Sequence, residues 1–364
     1  MHLVYRKTCR ICGSSALTQV IDLGEQYLQG SFIKPGKETP PLRKIPTKLV
    51  RCDPTIDEEA CGLLQTETSV PPVILYSAYW YRSGTNQTMR DHLKGIADVA
   101  SDFVGKADAR VLDIGCNDGT LLFSYPDAFV KFGVDPSDIA QEIPGGITVV
   151  QDTFPSHELN GLIADRRFDI VTSIAMFYDL ENPVDFVEQV KAILSEEGIW
   201  IFEVSYMPAM LAMNSYDTIC HEHLEYYSFS VIENLMQRCG MRVVKVEFNN
   251  INGGSIRCYV THVSNFKFKS RENQQTLEQV RQQEFDLELL QGAMAQVKKK
   301  VQEKTWEAWR LLALEEQAGK DVAGKLDMSV AAVYMARSRV QALMRDTIRE
   351  LEDGISPPCG PGRK

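Results

Sequence analysis

The stretch that most constrains the fold is Val111-Leu-Asp-Ile-Gly-Cys-Asn-Asp-Gly-Thr-Leu-Leu122. Val111 to Ile114 is an apolar run that reads as a buried strand. Gly115 and Gly119 permit a tight turn, and Leu121 and Leu122 begin a helix. A strand, a glycine-rich turn and a helix in that order place a cofactor at the carboxyl end of the strand, facing backbone N–H groups. The stretch lacks the Gly-Lys-Ser/Thr of a phosphate loop, and Leu121 replaces the third glycine of a dinucleotide fingerprint. Asp-x-Gly-x-x-x-Gly suits S-adenosylmethionine, whose amino-acid end packs on glycine backbone and whose cationic groups favour carboxylates. The candidate contacts are Asp113, Gly115, Asn117 and Gly119; the alternative is an ordinary strand-to-helix turn. Asp135 ends the next strand-like run, about twenty residues on, where an acid can accept from both ribose hydroxyls. Followed by Pro-Ser-Asp, it could instead cap a helix.

A chain of 364 residues predicts two or three domains, and 44% hydrophobic residues is enough for ordinary cores. No apolar run reaches the roughly eighteen residues of a membrane span. The N-terminus lacks the apolar core of a signal peptide, so a cytoplasmic protein is expected. Nine cysteines, two of them as Cys9-x-x-Cys12, point to metal binding rather than a disulfide framework. A net charge of −10 argues against wholesale coating of nucleic acid but leaves room for a locally basic helix.

Residues 1–75 read as a small cysteine-anchored module. Cys9 and Cys12 form a knuckle, and Cys52 and Cys61 complete a Cys₄ set for structural zinc; four thiolates leave no open position for catalysis. The alternative is four unrelated thiols. Pro71-Pro72 marks a boundary. Tyr76, Tyr79, Trp80 and Tyr81 then cluster, either as a lid over a substrate or as packing between domains. Met89 to Val104 predicts an amphipathic helix. From Arg110 strands and helices alternate, with strands expected at 110–114, 130–134, 147–150, 168–173 and 198–203 and a helix at 183–194. An antiparallel pair, 242–248 and 255–261, follows across a glycine-rich connection. The predicted class is α/β: a Rossmann-like, seven-stranded class I S-adenosylmethionine-dependent methyltransferase sheet over 76–263. His221, Glu222 and His223 lie beyond the fifth strand, at the sheet's ligand-binding edge. A neutral histidine there is a candidate general base, with Glu222 to orient it; a metal pair and structural histidines are the alternatives.

These motifs occur in one order: Cys-x-x-Cys, a later Cys-Gly-Leu-Leu-Gln, the aromatic run before Ser83-Gly84, Val-Leu-Asp-Ile-Gly-Cys-Asn-Asp-Gly-Thr, Tyr-Asp-Thr-Ile-x-His-Glu-His and Gly-Gly-Ser-Ile-Arg257. Over about residues 5–262 the chain resembles the sugar C-methyltransferases that act on nucleotide-linked 4-keto-6-deoxysugars. The resemblance implies S-adenosylmethionine as cofactor, a structural zinc and methylation of the carbon beside the ketone. It implies His223 as the base and Glu222 beside the reacting enolate, with His221 in the same catalytic cluster and Tyr79 and Tyr81 lining the sugar site. Two departures stand out. Cys220 replaces the family's usual tyrosine, and the chain does not continue into the family's second α/β domain.

From about Ser264 the composition turns to Gln, Glu, Lys and Arg. Residues 264–283 read as a linker. Helices are expected at 285–301, 304–316, 319–326 and 330–351, with a turn at 327–329. This segment, 284–355, resembles region four of extracytoplasmic-function sigma factors, notably in Thr305-Trp-Glu-Ala-Trp309 and Met328-Ser-Val-Ala-Ala-Val-Tyr-Met-Ala-Arg-Ser-Arg-Val340. The resemblance implies a helix-turn-helix that reads promoter DNA, with Ser329, Tyr334, Arg337 and Arg339 on the DNA side. The last residues, 356–364, are expected to be disordered. Three readings compete: a C-methyltransferase with a helical accessory, a DNA-binding regulator that senses cofactor or sugar, and a fused or truncated product. The sequence leaves the sugar and the oligomeric state open.

Overall fold

The computed structural model describes residues 3–29, 43–76, 79–163 and 166–354. The expected disordered tail lies outside the described residues. The chain divides into two compact units, Met1–Leu277 and Glu278–Lys364. The division falls within the stretch read as a linker.

The first unit begins with β1 (Val4–Tyr5), β2 (Leu17–Tyr27), β3 (Lys44–Cys52), β4 (Leu64–Thr66) and β5 (Thr68–Ser69). A short helix, α1 (Pro72–Tyr76), then leads to α2 (Gln87–Val104). Asn86 caps α2 by accepting from the Met89 N–H at 2.8 Å, and Gly105 stops it at φ +63°. Leu93, Ile96, Ala97, Ala100 and Phe103 recur at helical spacing and are buried in one core with Ile170, Ile199, Ile201 and Tyr259 of the main sheet.

That sheet is built from β6 (Arg110–Ile114), β7 (Val130–Val134), β8 (Thr148–Val150), β9 (Phe168–Ile174) and β10 (Leu194–Ser205), separated by α3 (Thr120–Ser124), α4 (His157–Ile163) and α5 (Pro183–Ile193). After β10 come α6 (Met207–Met213), β11 (Glu225–Tyr226) and α7 (Phe229–Arg238), then β12 (Met241–Asn249) and β13 (Ser255–His262). The strand order is β12-β13-β10-β9-β6-β7-β8. The β6, β7, β8, β9 and β10 pairings are parallel, while β13 runs antiparallel to both β10 and β12. This mixed seven-stranded sheet is the expected Rossmann-like arrangement. The central strands are buried along most of their length because both faces are covered, with Asp113, Thr172 and Glu203 as buried polar residues toward their carboxyl ends.

The small N-terminal sheet departs from an independent module. Its order is β11-β4-β3-β2, so a strand from beyond β10 completes it. Glu225 pairs with Gln65 and Tyr226 with Leu64. The segment after His-Glu-His is thus a strand of the cysteine-bearing sheet.

The second unit takes in most of α8 (Gln274–Lys300), with α9 (Glu303–Ala313), α10 (Gly319–Leu326) and α11 (Val330–Gly354). The helix α8 starts at Gln274, well before the expected 285, so part of the presumed linker is helical. Ala308, Leu311, Leu312, Val322, Ala323, Val333 and Ala336 form one core; Ala293, Val297, Trp306, Trp309, Val340 and Met344 form another. Asp327 turns the chain out of α10 at φ +51°, and the Ser329 hydroxyl accepts from the Ala332 N–H at 3.1 Å. Among the described residues no helix is long and apolar enough to cross a membrane.

Candidate active site

A cavity of about 760 Å³ opens at the carboxyl ends of the parallel strands. One side is built by the turn after β6. Gly115 (φ +76°) donates its N–H to the Val134 carbonyl at 2.8 Å and lines the cavity. A Cβ on Gly115 would meet the Met176 side chain at 3.1 Å, so the bare backbone here leaves a cradle open to a ligand. Asn117, at φ +50°, donates its N–H to Asp135 Oδ2 at 2.8 Å, and the Ser137 N–H donates to Oδ1 at the same distance. These bonds fix the carboxylate at the end of β7, at the cavity wall, with further lone pairs left for a ligand. Asp113, buried at the end of β6, accepts from the Thr172 hydroxyl at 2.6 Å. Burial pushes its carboxyl up to about 7; the Thr172 bond opposes that and the nearby Asp135 charge adds to it. Two close, buried acids and a glycine cradle fit a ligand with a cationic amino-acid end and a ribose diol. That description matches S-adenosylmethionine.

Of the expected cofactor residues, Asp113, Gly115, Asn117 and Asp135 line the cavity. Gly119 does not: at φ +77° it is the residue from which α3 starts, and its Cβ position is closed by Phe123 and Ile143. Its role is to turn the chain.

The other side of the cavity is assembled from distant segments. Tyr76, Tyr79 and Tyr81 line it, whereas Trp80 is 52% exposed and is not part of the lining. The Asn117 side chain ties the aromatic segment over the glycine turn. Its Nδ2 donates to the Tyr81 carbonyl and its Oδ1 accepts from the Ser83 N–H, both at 2.9 Å. His223 faces the same space, with its ring 4.4 Å from that of Tyr178. Its Nδ1–H donates to the Thr218 carbonyl at 2.9 Å, which leaves Nε2 as the basic nitrogen. Burial lowers the imidazole's pKa, so the ring is neutral near pH 7.

His221 is a correction. It is buried away from the cavity, its Nε2 at 2.9 Å from the Thr47 hydroxyl and 3.3 Å from the Ile45 carbonyl, so it packs on β3 instead of meeting substrate. The carboxyl of Glu222 is likewise not part of the lining; burial raises its pKa, and its backbone carbonyl lies 3.5 Å from the Tyr76 hydroxyl. Burial pushes the Cys220 thiol up to about 12, so it stays protonated.

Two groups escaped the reading of the sequence. Asp179 lines the cavity with a buried Oδ1 that has no hydrogen-bond partner among the described residues, and burial, with Glu222 and Glu225 nearby, holds its carboxyl well above the usual range. Its position just past the fourth parallel strand was the available signal. Glu203, on β10, accepts from His92 Nε2 at 2.7 Å, from Arg257 Nε at 2.9 Å and from Asn249 Nδ2 at 2.9 Å. The signal for Arg257 was its place in the Gly-Gly-Ser-Ile-Arg stretch.

The thiols of Cys9, Cys12, Cys52 and Cys61 all lie within 4.8 Å of one another, with Cys9–Cys61 and Cys12–Cys52 each at 3.4 Å. Four sulfurs at about 2.3 Å from a tetrahedral zinc sit roughly 3.8 Å apart. The donor set and spacing fit structural zinc. The Ile11 N–H donates to Cys9 Sγ at 3.4 Å, as a knuckle requires.

Comparison with known proteins agrees with this geometry. Residues 85–246 match a family model described as a methyltransferase domain, and residues 9–76 match one described as "Putative zinc binding domain". Residues 85–246 thus have the sequence pattern of a methyltransferase domain. Among curated relatives, the C-methyltransferase NovU of Streptomyces niveus is 26% identical over 261 residues, 68% of this chain and 59% of NovU. The chain thus spans less than two thirds of that relative's length. The tRNA U34 carboxymethyltransferase of Colwellia psychrerythraea is 33% identical over 114 residues, 30% of this chain and 34% of that protein. Among solved structures, the plantazolicin methyltransferase BpumL in complex with a pentazolic desmethylPZN analog and SAH aligns at TM-score 0.39 and 16% identity, covering 49% of this chain and 86% of BpumL.

Proposed function

We propose that the first unit is a C-methyltransferase that methylates the carbon beside the ketone of a nucleotide-linked 4-keto-6-deoxysugar. One observation carries the reading: His223, kept neutral by burial and with its ring proton placed on Nδ1 by the bond to the Thr218 carbonyl, lines the same cavity as the glycine turn and Asp135. A proton α to a ketone needs a base with a free lone pair, and Nε2 of His223 supplies it. The electron pair released on that carbon is stabilised as an enolate by donors at the ketone oxygen. Tyr76 and Tyr79 line the cavity with hydroxyls kept protonated by burial, and both suit that task. Asp113, Gly115, Asn117 and Asp135 hold the cofactor, which when bound supplies an electrophilic methyl on a sulfonium. Tyr81 and Ser83, tied to Asn117, cover the glycine turn.

The test is sugar-dependent release of S-adenosylhomocysteine from the full chain given S-adenosylmethionine and a nucleotide-linked 4-keto-6-deoxysugar, with the methylated sugar identified by mass. His223→Ala should lower turnover about 10³-fold, the scale of a lost general base. It should also abolish deuterium uptake at the α-carbon in heavy water. Full exchange and turnover in that variant would rule out His223 as the base.

A second reading concerns the second unit. We read its α10 and α11, joined by a short turn through Asp327, as a helix-turn-helix; in support, Ser329, Tyr334, Arg337 and Arg339 are exposed on or just before α11. Duplex DNA is the partner this shape suits. Binding should weaken with salt, and Arg337→Ala with Arg339→Ala should flatten that dependence. Salt-independent or absent binding by fluorescence anisotropy would dismiss it.

A further inference from the structure

The arginine inside the zinc knuckle is buried, and its contacts lead to the acceptor side of the cavity. Arg10 stands between Cys9 and Cys12. Its backbone N–H donates to Gln65 Oε1 at 3.0 Å, Nη1 donates to the Thr66 carbonyl at 2.7 Å, and Nη2 donates to Ser69 Oγ at 2.7 Å. The guanidinium is therefore fixed against β4 and β5 by its two terminal nitrogens. Its remaining nitrogen, Nε, has no hydrogen-bond partner among the described residues. It lies 3.6 Å from Glu225 Oε1 and 3.8 Å from Glu181 Oε2.

Glu225 is equally buried and looks both ways. Its Oε2 accepts from the Leu180 N–H at 3.3 Å, and its own N–H, with that of Leu224, donates to the Tyr178 carbonyl at 3.0 and 2.8 Å. The Leu224 carbonyl accepts from the Thr66 N–H at 2.9 Å. The segment 178–181, which carries Tyr178 and Asp179, and the segment ending in His223 are thus joined at Glu225. Both are held against the strand that Arg10 grips. The glycine turn and Asp135 take no part in these contacts.

We propose that Arg10 and Glu225 are positioning residues: the knuckle arginine sets the Glu225 carboxylate, and through it the two segments that present Tyr178, Asp179 and His223 to the acceptor. A filled cysteine site then orders the acceptor side of the cavity and leaves the cofactor side to the main sheet. The inference deepens the methyl-transfer reading, but its structural part stands without any acceptor.

The test is amide hydrogen exchange, read by mass spectrometry, on the full chain with bound S-adenosylhomocysteine and one zinc per chain. The variants are Arg10→Met and Glu225→Gln. In Arg10→Met with zinc retained, peptides covering 176–181 and 215–227 should exchange at least about tenfold faster, while 110–122 and 130–137 stay unchanged. Affinity for S-adenosylhomocysteine should stay within about threefold. Glu225→Gln keeps an acceptor for the Leu180 N–H and loses the charge, so the same peptides should loosen to a smaller degree. Chelating the zinc from the parent should reproduce the Arg10→Met pattern. Where the methyl-transfer assay runs, kcat should fall at least about tenfold with the cofactor KM unchanged. Unchanged exchange at 215–227 in Arg10→Met would overturn the proposal, as would loosening spread equally over 110–137. Should Arg10→Met fail to fold, unchanged exchange at 176–181 in Glu225→Gln decides against it. Absent turnover with the expected exchange pattern would count against the methyl-transfer reading alone.

Discussion

The two sides of the cavity are made in different ways. The cofactor side comes from one strand-turn-helix and the strand after it: Asp113, Gly115, Asn117 and Asp135 span 23 positions of the sequence. The side proposed for the acceptor draws Tyr76, Tyr79, Tyr178, Asp179 and His223 from three separate stretches, two of which meet at β11 of the small cysteine-bearing sheet. The first is fixed by local backbone geometry, since a positive φ and a strand end suffice to aim it. The second exists only after distant segments have packed. A local site tolerates change elsewhere in the chain, whereas an assembled one depends on every element that holds it.

The largest effect that would test this contrast is at Gly115. Gly115→Arg forces a side chain onto a residue at φ +76° and pushes it toward Met176, into the cofactor cradle. S-adenosylmethionine affinity, measured by calorimetry, should fall at least about a hundredfold while circular dichroism shows the fold kept. Retained affinity would mean that the cofactor lies elsewhere. His223→Ala makes the complementary case. Its loss should fall on the chemical step, with cofactor affinity within about threefold of the parent, because no described hydrogen bond links His223 to the glycine turn. A large loss of affinity there would show that the two sides are not independent.

The same contrast explains what the sequence disclosed. The parallel strands, the antiparallel pair, Asp113 and Asp135 were legible because hydrophobic runs and glycine turns are local signals. Cys9 and Cys12 were legible by their spacing, while Cys52 and Cys61, with eight residues between them where two is usual, were read as completing their set. Gly119 was assigned to the lining because it belongs to the same motif, yet its positive φ serves the start of α3. His221 and His223 look alike in sequence, two positions apart. They part in the structure because β11 joins the cysteine-bearing sheet, which carries His221 to Thr47 and leaves His223 at the cavity. Nothing in a single sequence announces that a strand at 225–226 will pair with one at 64–66. Asp179 was missed for a related reason, since an aspartate after a strand gains meaning only beside Tyr76, Glu222 and a cavity.

The smallest expected effect sharpens the account of the cofactor side. The Asp113 carboxyl, pushed up to about 7 in the folded protein, titrates near 3.9 in an unfolded chain. Between those values the native state holds a proton that the unfolded chain has released. Stability from this group is therefore present below the lower value and is lost as pH rises through the upper one. A cationic ligand reverses the preference, because it favours the ionised carboxylate. Affinity for S-adenosylmethionine should accordingly rise with pH by at most about one decade per unit below pH 7, then level off. Asp113→Asn should remove that rise, keep a partner for the Thr172 hydroxyl, and make the ligand-free protein more stable above pH 7 than the parent. Calorimetry at pH 5.5 to 8.5 and thermal melts of both proteins check the two signs separately. A pH-independent affinity in the parent would mean that Asp113 does not meet the cofactor's charge, and the cradle at Gly115 and the acid at Asp135 would then carry the recognition without it.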